Sequence, residues 1–287
     1  MKFGYVGIGL MGLPMTKHLL SKGHSVVAYD IVAEKTEAAR AAGAKAADSP
    51  AGVCAGVDAV LLNLPTNEAV EEAVFGARGV ASAIRPPQLI VDFSTIKVEN
   101  GKKFASLMKA NWIDAPVSGG PPAAANGSLT VMAGGDKADI ERLAPLWKDV
   151  AARFTHMGPA GAGLAAKMIN QLIVGCGYAV MAEACMLAEA AGIDAARIPA
   201  CLAGGHADST LLQQIYPRMA ARDFAPRGYA RQLLKDLEMV NELAAKLHAP
   251  TPMMAEALSL YRMLVHRGHS EVDTSGVFKL YEKEEGK

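Results

Sequence analysis

Short hydrophobic runs and helical stretches alternate along the first half of the chain. Six of these runs, rich in β-branched residues, predict strands at residues 3–6, 25–29, 59–62, 89–92, 112–115 and 130–133. Alanine-rich stretches with helical spacing separate the runs. Strands that alternate with helices are typical of βαβ units and a mostly parallel sheet. The pattern therefore predicts an α/β domain.

The strand signals end at a turn rich in glycine and proline, residues 158–161. Beyond it, the periodicity predicts helices at residues 162–191, 198–202 and 229–247. A chain of 287 residues exceeds the usual size of one hydrophobic core, which favours two domains. We expect an α/β domain at 1–160 and an all-α domain at 161–287, joined by the long first helix because no flexible linker separates them.

Composition and charge narrow the class of protein. Hydrophobic residues make up 51% of the chain and charged residues 20%, which is typical of a compact globular protein and not of a disordered one. The 29 lysines and arginines balance the 29 aspartates and glutamates, so no overall basic field would concentrate nucleic acid. We therefore expect no nucleic-acid partner.

The chain is expected to be cytoplasmic, with no membrane segment. Its start lacks the basic region, apolar core and cleavage site of a secretory signal. The longest apolar stretch, residues 168–187, contains Asn170, Gln171 and Glu183, which lipid would penalise. The four cysteines form no CxxC pair, which fits a reducing compartment, and we expect them to be buried and reduced. The seven histidines form no metal-ligand cluster with carboxylates, so no metal is predicted.

A glycine-rich turn follows the first predicted strand and opens a helical pattern. It is Gly7-Ile8-Gly9-Leu10-Met11-Gly12, a GxGxxG motif in the strand–turn–helix context that the motif requires. Gly7 would permit the tight turn, Gly9 would let a pyrophosphate approach the backbone, and Gly12 would let the helix pack against the strand. The turn, including Leu10 and Met11, is predicted to bind a dinucleotide at the helix N-terminus, in a Rossmann domain.

Two other strand ends add candidates for cofactor binding. Asp30 ends the second predicted strand, where a carboxylate can accept hydrogen bonds from the adenosine ribose and would repel a 2′-phosphate. NAD is therefore predicted in preference to NADP, and the alternative role of Asp30 is a helix cap. Leu64 and Pro65 follow a strand at the carboxyl edge and are predicted to border the cofactor, unless their loop only ends the strand.

Two later segments carry candidate chemistry. The backbone N–H groups of Gly119 and Gly120, beside the Ser118 hydroxyl, would make a cradle for a carboxylate, although an ordinary turn also fits. Lys167 lies within an apolar helical run, where burial would favour a neutral amine able to exchange a proton with a substrate hydroxyl. A surface lysine is the alternative. Asn170 and Gln171 fall on the same helical face and could orient Lys167 or the substrate.

These segments together resemble the β-hydroxyacid dehydrogenase family, which includes 3-hydroxyisobutyrate dehydrogenase and tartronate semialdehyde reductase. The segments that carry the resemblance are GIGLMGLPM at 7–15, DFST at 92–95, DAPVSGG at 114–120, GAG through KMINQ at 161–171, and KDL at 235–237. They span nearly the whole chain in the order found in the family.

The resemblance implies a site and a reaction. It places Thr95 near the nicotinamide ribose and Lys235 with the cofactor, with Ser118, Gly119 and Gly120 on the substrate and Lys167 as the acid–base group, aided by Asn170 or Gln171. It implies hydride transfer between NAD and a small β-hydroxy acid or its semialdehyde, in a cleft between the domains. Relatives are dimers or tetramers assembled through the helical domain, so a homo-oligomer is expected.

Two departures from the family pattern leave the substrate open. Relatives often carry an asparagine four residues after the lysine, where this chain has Gln171 preceded by Asn170, as in the semialdehyde-reductase branch. Many have phenylalanine seven residues before the KDL lysine, where this chain has Gly228 followed by Tyr229.

Three other functions compete. One is an imine reductase, in which the lysine is usually replaced. Another is a phosphogluconate-type enzyme acting on a sugar acid, with Arg227 and Arg231 as candidates for holding a phosphate. The third is a nucleotide-binding module without turnover, against which Lys167 and Ser118 argue.

Overall fold

The computed structural model describes residues 1–108 and 111–282. It divides into two compact units, Met1–Lys167 and Met168–Lys287.

The described part of the first unit contains a nine-stranded sheet. Its strands are β1 (Lys2–Val6), β2 (Ser25–Tyr29), β3 (Lys45–Ala46), β4 (Ala59–Leu62), β5 (Leu89–Asp92), β6 (Asn111–Asp114), β7 (Val117–Ser118), β8 (Leu129–Gly134) and β9 (Ala151–Gly158). The order is β3-β2-β1-β4-β5-β6-β8-β7, with β9 on β8. The pairs from β3 to β6 are parallel, β8 is antiparallel to β6 and β7, and β9 is parallel to β8. The prediction of a mostly parallel sheet is confirmed.

The helices of this unit connect the strands. They are α1 (Gly12–Ser21), α2 (Ala33–Ala41), α3 (Asn67–Phe75), α4 (Val80–Ala83), α5 (Val98–Leu107), α6 (Gly120–Asn126), α7 (Lys137–Arg142) and α8 (Ala144–Val150), with a 3₁₀ helix at Ala51–Cys54. Successive strand residues point to opposite faces, so Leu61 and Val91 join one apolar cluster while Val60 and Ile90 join another. Both faces of the central strands are covered, as parallel sheets require.

The second unit is helical apart from one isolated bridge between Tyr229 and Asp273. The long helix α9 (Ala162–Ala190) begins in the first unit and continues into the second, followed by α10 (Ile198–Leu202), α11 (Thr210–Ala220), α12 (Ala230–Lys246) and α13 (Pro252–His266), with 3₁₀ helices at Ala195–Arg197 and Thr274–Leu280. The all-α prediction is confirmed for the described residues, and three of the five α-helices were predicted. Among the described residues α9 alone is long and apolar enough to cross a membrane, a test that soluble core helices also pass, and 44% of its apolar window is buried.

The cysteines match their prediction only in part. All four are free, and Cys54 and Cys185 are buried, but Cys176 is half-buried and Cys201 is exposed. The prediction of burial was wrong for Cys201 because it lies on the five-residue helix α10, of which only Pro199 is buried. Within residues 1–108 and 111–282, no group of three or more histidine, cysteine or acidic side chains is placed to hold a metal ion.

Candidate functional site

Five parallel strands end at one level of the sheet in the first unit. Their last residues are cross-strand partners in the order Tyr29, Val6, Leu62, Asp92 and Asp114. Neighbouring strands lie about 4.8 Å apart, so this carboxyl edge is roughly 19 Å long. The segments that leave it carry most of the predicted site residues of this unit: Gly7, Gly9, Asp30, Leu64, Pro65, Thr95 and Ser118. Open α/β sheets bind ligands at such an edge, where strand order reverses between β1 and β4.

In the glycine-rich turn, Gly7 and Gly12 have the packing roles that the motif predicts, and Gly9 borders open space. Gly7 has a φ of +97°, and a Cβ there would overlap the carbonyl oxygen of Asn63. A Cβ on Gly12 would overlap the carbonyl oxygen of Gly7, so helix α1 passes close to the turn. A Cβ on Gly9 would have no atom within 4 Å. The fold requires Gly7 and Gly12, whereas the open space beside Gly9 suits a phosphate approaching the backbone.

The N-terminus of α1 remains available to an anion. Its N-cap is Met11, no side chain of the described residues caps it, and its first turn contains no acidic residue. Leu10, which is 44% exposed, borders the same turn. Uncapped N–H groups and the helix dipole favour a negatively charged ligand at this position.

Asp30 is tied to the glycine-rich turn. Its Oδ2 accepts a hydrogen bond from the Ile8 N–H at 2.8 Å, and its Oδ1 accepts one from the Val32 N–H at 2.9 Å. The N-cap of α2 is Val32, so Asp30 orders the turn that precedes the helix without being its cap residue. A carboxylate has about four acceptor positions. Two backbone bonds therefore leave Asp30 with capacity for ribose hydroxyls.

Leu64 and Thr95 lie in loops that one serine links. Ser94 Oγ accepts a hydrogen bond from the Leu64 N–H at 2.8 Å, and the Ser94 N–H donates to Asp92 Oδ1 at 2.9 Å. Burial raises the pKa of Asp92 to about 7, against the lowering effect of Ser94, and nearby Asp114 adds to the rise. Pro65 is exposed next to this link. Ser94 was not predicted as a site residue, although it lies in the DFST segment.

Lys167 is buried beside the predicted substrate segment. Its side chain is in a residue only 7% exposed, and Nζ donates a hydrogen bond to the Val117 carbonyl oxygen at 2.8 Å. Its burial excludes the alternative of an exposed surface lysine. Gly119 and Gly120 have φ values of +125° and +67°, the left-handed region that glycine favours. The amine therefore lies next to the backbone that leads into Ser118, Gly119 and Gly120.

The other predicted catalytic residues form a chain of polar contacts in the second unit. Gln171 is buried; its Nε2 donates to Asp236 Oδ2 at 2.6 Å, and its Oε1 accepts from Asn170 Nδ2 at 2.7 Å. Lys235 Nζ lies 3.1 Å from Asp236 Oδ1. These contacts therefore connect Asn170 and Gln171 on α9 to the KDL segment on α12. Asp236 was not singled out as a site residue, although it is the middle residue of that segment.

The arginines considered for a phosphate differ in their contacts. Arg231 Nε lies 2.6 Å from Glu271 Oε1, and its guanidinium lies 4.7 Å from the centre of the Tyr229 ring. The backbone N–H groups of Arg227 and Gly228 donate to Asp273 Oδ2 at 2.7 and 3.2 Å. The guanidinium of Arg231 is therefore already paired with a carboxylate.

Comparison with known proteins places this chain in a family. A model described as the NAD binding domain of 6-phosphogluconate dehydrogenase matches residues 2–158. A second, described as NAD-binding of NADP-dependent 3-hydroxyisobutyrate dehydrogenase, matches residues 161–281.

Individual relatives match along nearly their full length. The 2-hydroxy-3-oxopropionate reductase of Escherichia coli is 33% identical over 285 residues, 98% of this chain and 97% of that protein. The NAD-dependent L-serine dehydrogenase of Pseudomonas aeruginosa is 33% identical over 295 residues, 99% of each chain. The crystal structure of 3-hydroxyisobutyrate dehydrogenase from Salmonella typhimurium matches with a TM-score of 0.89 at 30% identity, covering 98% of this chain and 99% of that chain. This chain belongs to the 3-hydroxyisobutyrate dehydrogenase family of NAD(P)-binding oxidoreductases.

Proposed function

We propose that this protein transfers a hydride between NAD and the β-carbon of a small β-hydroxy acid or its semialdehyde, with Lys167 moving the proton. The carrying observation is the buried amine of Lys167, 2.8 Å from the Val117 carbonyl oxygen, on the segment that continues into Ser118, Gly119 and Gly120. The names of the E. coli and P. aeruginosa relatives point to the same substrate class, because L-serine and 2-hydroxy-3-oxopropionate are three-carbon acids with oxygen on C3.

Lys167 serves both directions of this reaction. A bound nicotinamide accepts or supplies the hydride. In oxidation, the neutral amine takes the proton of the substrate hydroxyl; in reduction, the ammonium returns a proton to the carbonyl oxygen. The Val117 carbonyl oxygen accepts a hydrogen bond from Lys167 Nζ and so fixes the orientation of the amine.

Ser118, Gly119 and Gly120 are proposed to hold the substrate carboxylate. The Ser118 hydroxyl and the glycine N–H groups can donate hydrogen bonds to a carboxylate, and they carry no positive charge. Such a site suits the single carboxylate of a short acid. A sugar phosphate would need a cationic cluster, and the pairing of Arg231 with Glu271 disfavours that alternative. The retained lysine disfavours an imine substrate.

Asn170 is the amide that we assign to the reacting hydroxyl. Gln171 is committed at both ends of its amide, to Asp236 and to Asn170. Asn170 lies three residues after Lys167 on α9, a spacing that puts both side chains on one helical face. Gln171 then holds Asn170 in place, and Lys235 completes the polar chain through Asp236.

NAD is the proposed cofactor, with NADP disfavoured. Asp30 presents a carboxylate at the end of β2, and the residue after it is Ile31, 88% exposed and without charge. A 2′-phosphate at this position would meet a negative charge and gain nothing from Ile31.

An exposed apolar stripe on α9 supports assembly into a homo-oligomer. Ile169, Ile173, Val180 and Leu187 are 53–65% exposed, and their spacings of four, seven and seven residues place them on one face of the helix. Covering such a stripe removes apolar surface from water. The mass in solution, measured by light scattering, should exceed that of a monomer, and a strictly monomeric protein would reject the assembly.

We also propose two domains that meet near residue 160 and a location in the cytoplasm. A domain boundary near residue 160 is supported by the two family models, which end and begin at residues 158 and 161. The four free thiols support a location in the cytoplasm, where cysteines stay reduced.

A turnover screen tests the function. The purified protein is mixed with NADH and short semialdehydes, or with NAD and three- to four-carbon β-hydroxy acids, and absorbance of NADH is followed with Lys167→Ala as the control. We expect turnover with at least one β-oxygenated acid, lowered about 10²- to 10⁴-fold in the control. Tight NADH binding without turnover of any of these acids would instead favour the nucleotide-binding module.

A further inference from the structure

Asp114 is a buried carboxylate at the end of β6 with two backbone partners. It is 1% exposed; Oδ1 accepts a hydrogen bond from the Gly161 N–H at 2.6 Å, and Oδ2 accepts one from the Leu164 N–H at 2.9 Å. Gly161 immediately precedes α9 and Leu164 lies in its first turn, where N–H groups have no partner within the helix. Asp114 therefore caps α9 from another part of the chain.

This contact offsets part of the cost of burying the charge of Asp114. Burial raises the pKa of Asp114 to about 6, and the N–H groups of Gly161 and Leu164 act in the opposite direction by stabilising the carboxylate. A helix N-terminus favours an anion for the same reason.

Two glycines, Gly134 and Gly163, make room for Asp114, and a third shapes the turn before α9. A Cβ on Gly134 would lie 2.8 Å from both carboxylate oxygens of Asp114, and a Cβ on Gly163 would lie 2.6 Å from its carbonyl oxygen. Gly161 has a φ of +89°. Gly163 thus lets the start of α9 approach Asp114 closely, and Gly161 gives the preceding turn its left-handed conformation.

The same segment contacts α9 a second time at Lys167. Val117, three residues after Asp114, accepts the hydrogen bond from Lys167 Nζ, and Lys167 lies three residues after Leu164. Pro116 restricts the backbone between the two contacts. Residues 114–117 are therefore attached to the helix at its first turn and at the next one.

We propose that Asp114 is a positioning residue that sets where the Lys167 amine lies relative to Ser118, Gly119 and Gly120. It acts through the helix and touches neither substrate nor cofactor. The inference rests on the proposed proton-transfer role of Lys167. A catalytic group must be placed accurately relative to its substrate, since a displacement of about 1 Å can lower the rate roughly 100-fold.

A double-mutant cycle tests this inference. Asp114→Asn keeps the size of the side chain but replaces one carboxylate oxygen with an NH₂ group. That group would face one of the two backbone N–H donors, Gly161 or Leu164, and could not accept its hydrogen bond. We expect it to lower kcat by about 10- to 100-fold while the Kd for NADH stays near wild type. In a Lys167→Ala background the same change should cost less than about threefold, because no amine remains to be positioned.

Asp136→Asn is the matched control. Asp136 caps α7, accepting from the Ala138 N–H at 2.8 Å, and α7 carries no proposed site residue. Its kcat should equal that of wild type. Thermal unfolding and NADH fluorescence establish that each variant is folded, and Asp114→Ser, which keeps one acceptor, replaces Asp114→Asn if that variant does not fold.

Two outcomes overturn the inference alone. One is a normal kcat for a folded Asp114→Asn protein, and the other is a loss that multiplies fully with that of Lys167→Ala. Near-normal turnover of Lys167→Ala would instead reject the proposed role of the lysine, so the two failures are distinguishable.

Discussion

Two helices that begin in the first unit differ in what lies at their N-termini. The N-terminus of α1 follows a glycine-rich turn and has no side-chain cap among the described residues. The N-terminus of α9 also follows a glycine, Gly161, but accommodates the carboxylate of Asp114. The same helix dipole is present at both, and both helices begin with N–H groups that have no partner within the helix. We propose that the first binds an external anion, whereas the second is used internally to anchor the helix that carries Lys167.

The largest effect on cofactor binding is expected from closing the open N-terminus of α1. Gly9→Val should fold normally, since a Cβ at Gly9 meets no atom within 4 Å, but its side chain would occupy the space proposed for the pyrophosphate. Loss of charge-assisted bonds worth about 1.5–3 kcal/mol should raise the Kd for NADH roughly 10- to 150-fold. Fluorescence titration measures the Kd.

Gly12→Ala separates ligand effects from folding effects. Its Cβ would overlap the Gly7 carbonyl oxygen, so it should lower the melting temperature, whereas Gly9→Val should not. Unchanged NADH affinity in Gly9→Val would show that the open terminus does not bind the cofactor.

Ser118→Ala changes the segment between the two termini. One hydroxyl donor to a charged carboxylate contributes about 1.5–3 kcal/mol, so the substrate KM should rise about 10- to 150-fold. The Kd for NADH should stay the same, because Ser118 is assigned to the substrate. Steady-state kinetics with a substrate found in the screen provide the measurement, and an unchanged KM would reject the assignment.

Asp30→Ala should alter cofactor choice without altering chemistry. Removing the carboxylate takes away both ribose hydrogen bonds and repulsion of a 2′-phosphate, so the preference for NADH over NADPH should narrow. The ratio of kcat/KM values for the two cofactors measures it. A wild-type protein that prefers NADPH would contradict the role of Asp30.

The smallest effect concerns Asp92, the buried cross-strand neighbour of Asp114. Its pKa is raised to about 7, against about 3.9 for an unfolded aspartate. A raised carboxyl pKa means that the folded state favours the proton, so this contribution to stability is present below about pH 4 and is lost as the pH rises to about 7.

Asp92→Asn should remove that dependence. Relative to the variant, the wild-type protein should lose stability between about pH 4 and 7. Thermal unfolding across this range measures the difference, and two parallel curves would contradict the assignment.

Elements with strong local patterns were predictable from the sequence. All six predicted strands exist within one residue of their expected ends, since strands buried on both faces have continuous apolar runs. Strand β9 was missed because most of its side chains are exposed, and β3 and β7 have only two residues each. Helix α11 was missed as well, and it contains Pro217, which interrupts a helical pattern.

The site was predictable where a motif has one local meaning. The close backbone contacts at Gly7 and Gly12 and the open space at Gly9 all belong to a single turn, and the structure shows them. The capping contact of Asp114 joins residues 47 positions apart, and the contact between Gln171 and Asp236 joins residues 65 apart. No local periodicity contains such pairs, because only the tertiary fold brings them together.

The pH dependence of Lys167→Ala tests the central claim most directly. Positioned acid–base catalysis contributes about 10²- to 10⁴-fold, so the variant should lose kcat on that scale while binding NADH normally. Oxidation by the wild-type protein should require a group that loses its proton, and that ionisation should disappear from the residual activity of the variant. Near-normal turnover of Lys167→Ala, or the same ionisation without the lysine, would show that another group carries the proton.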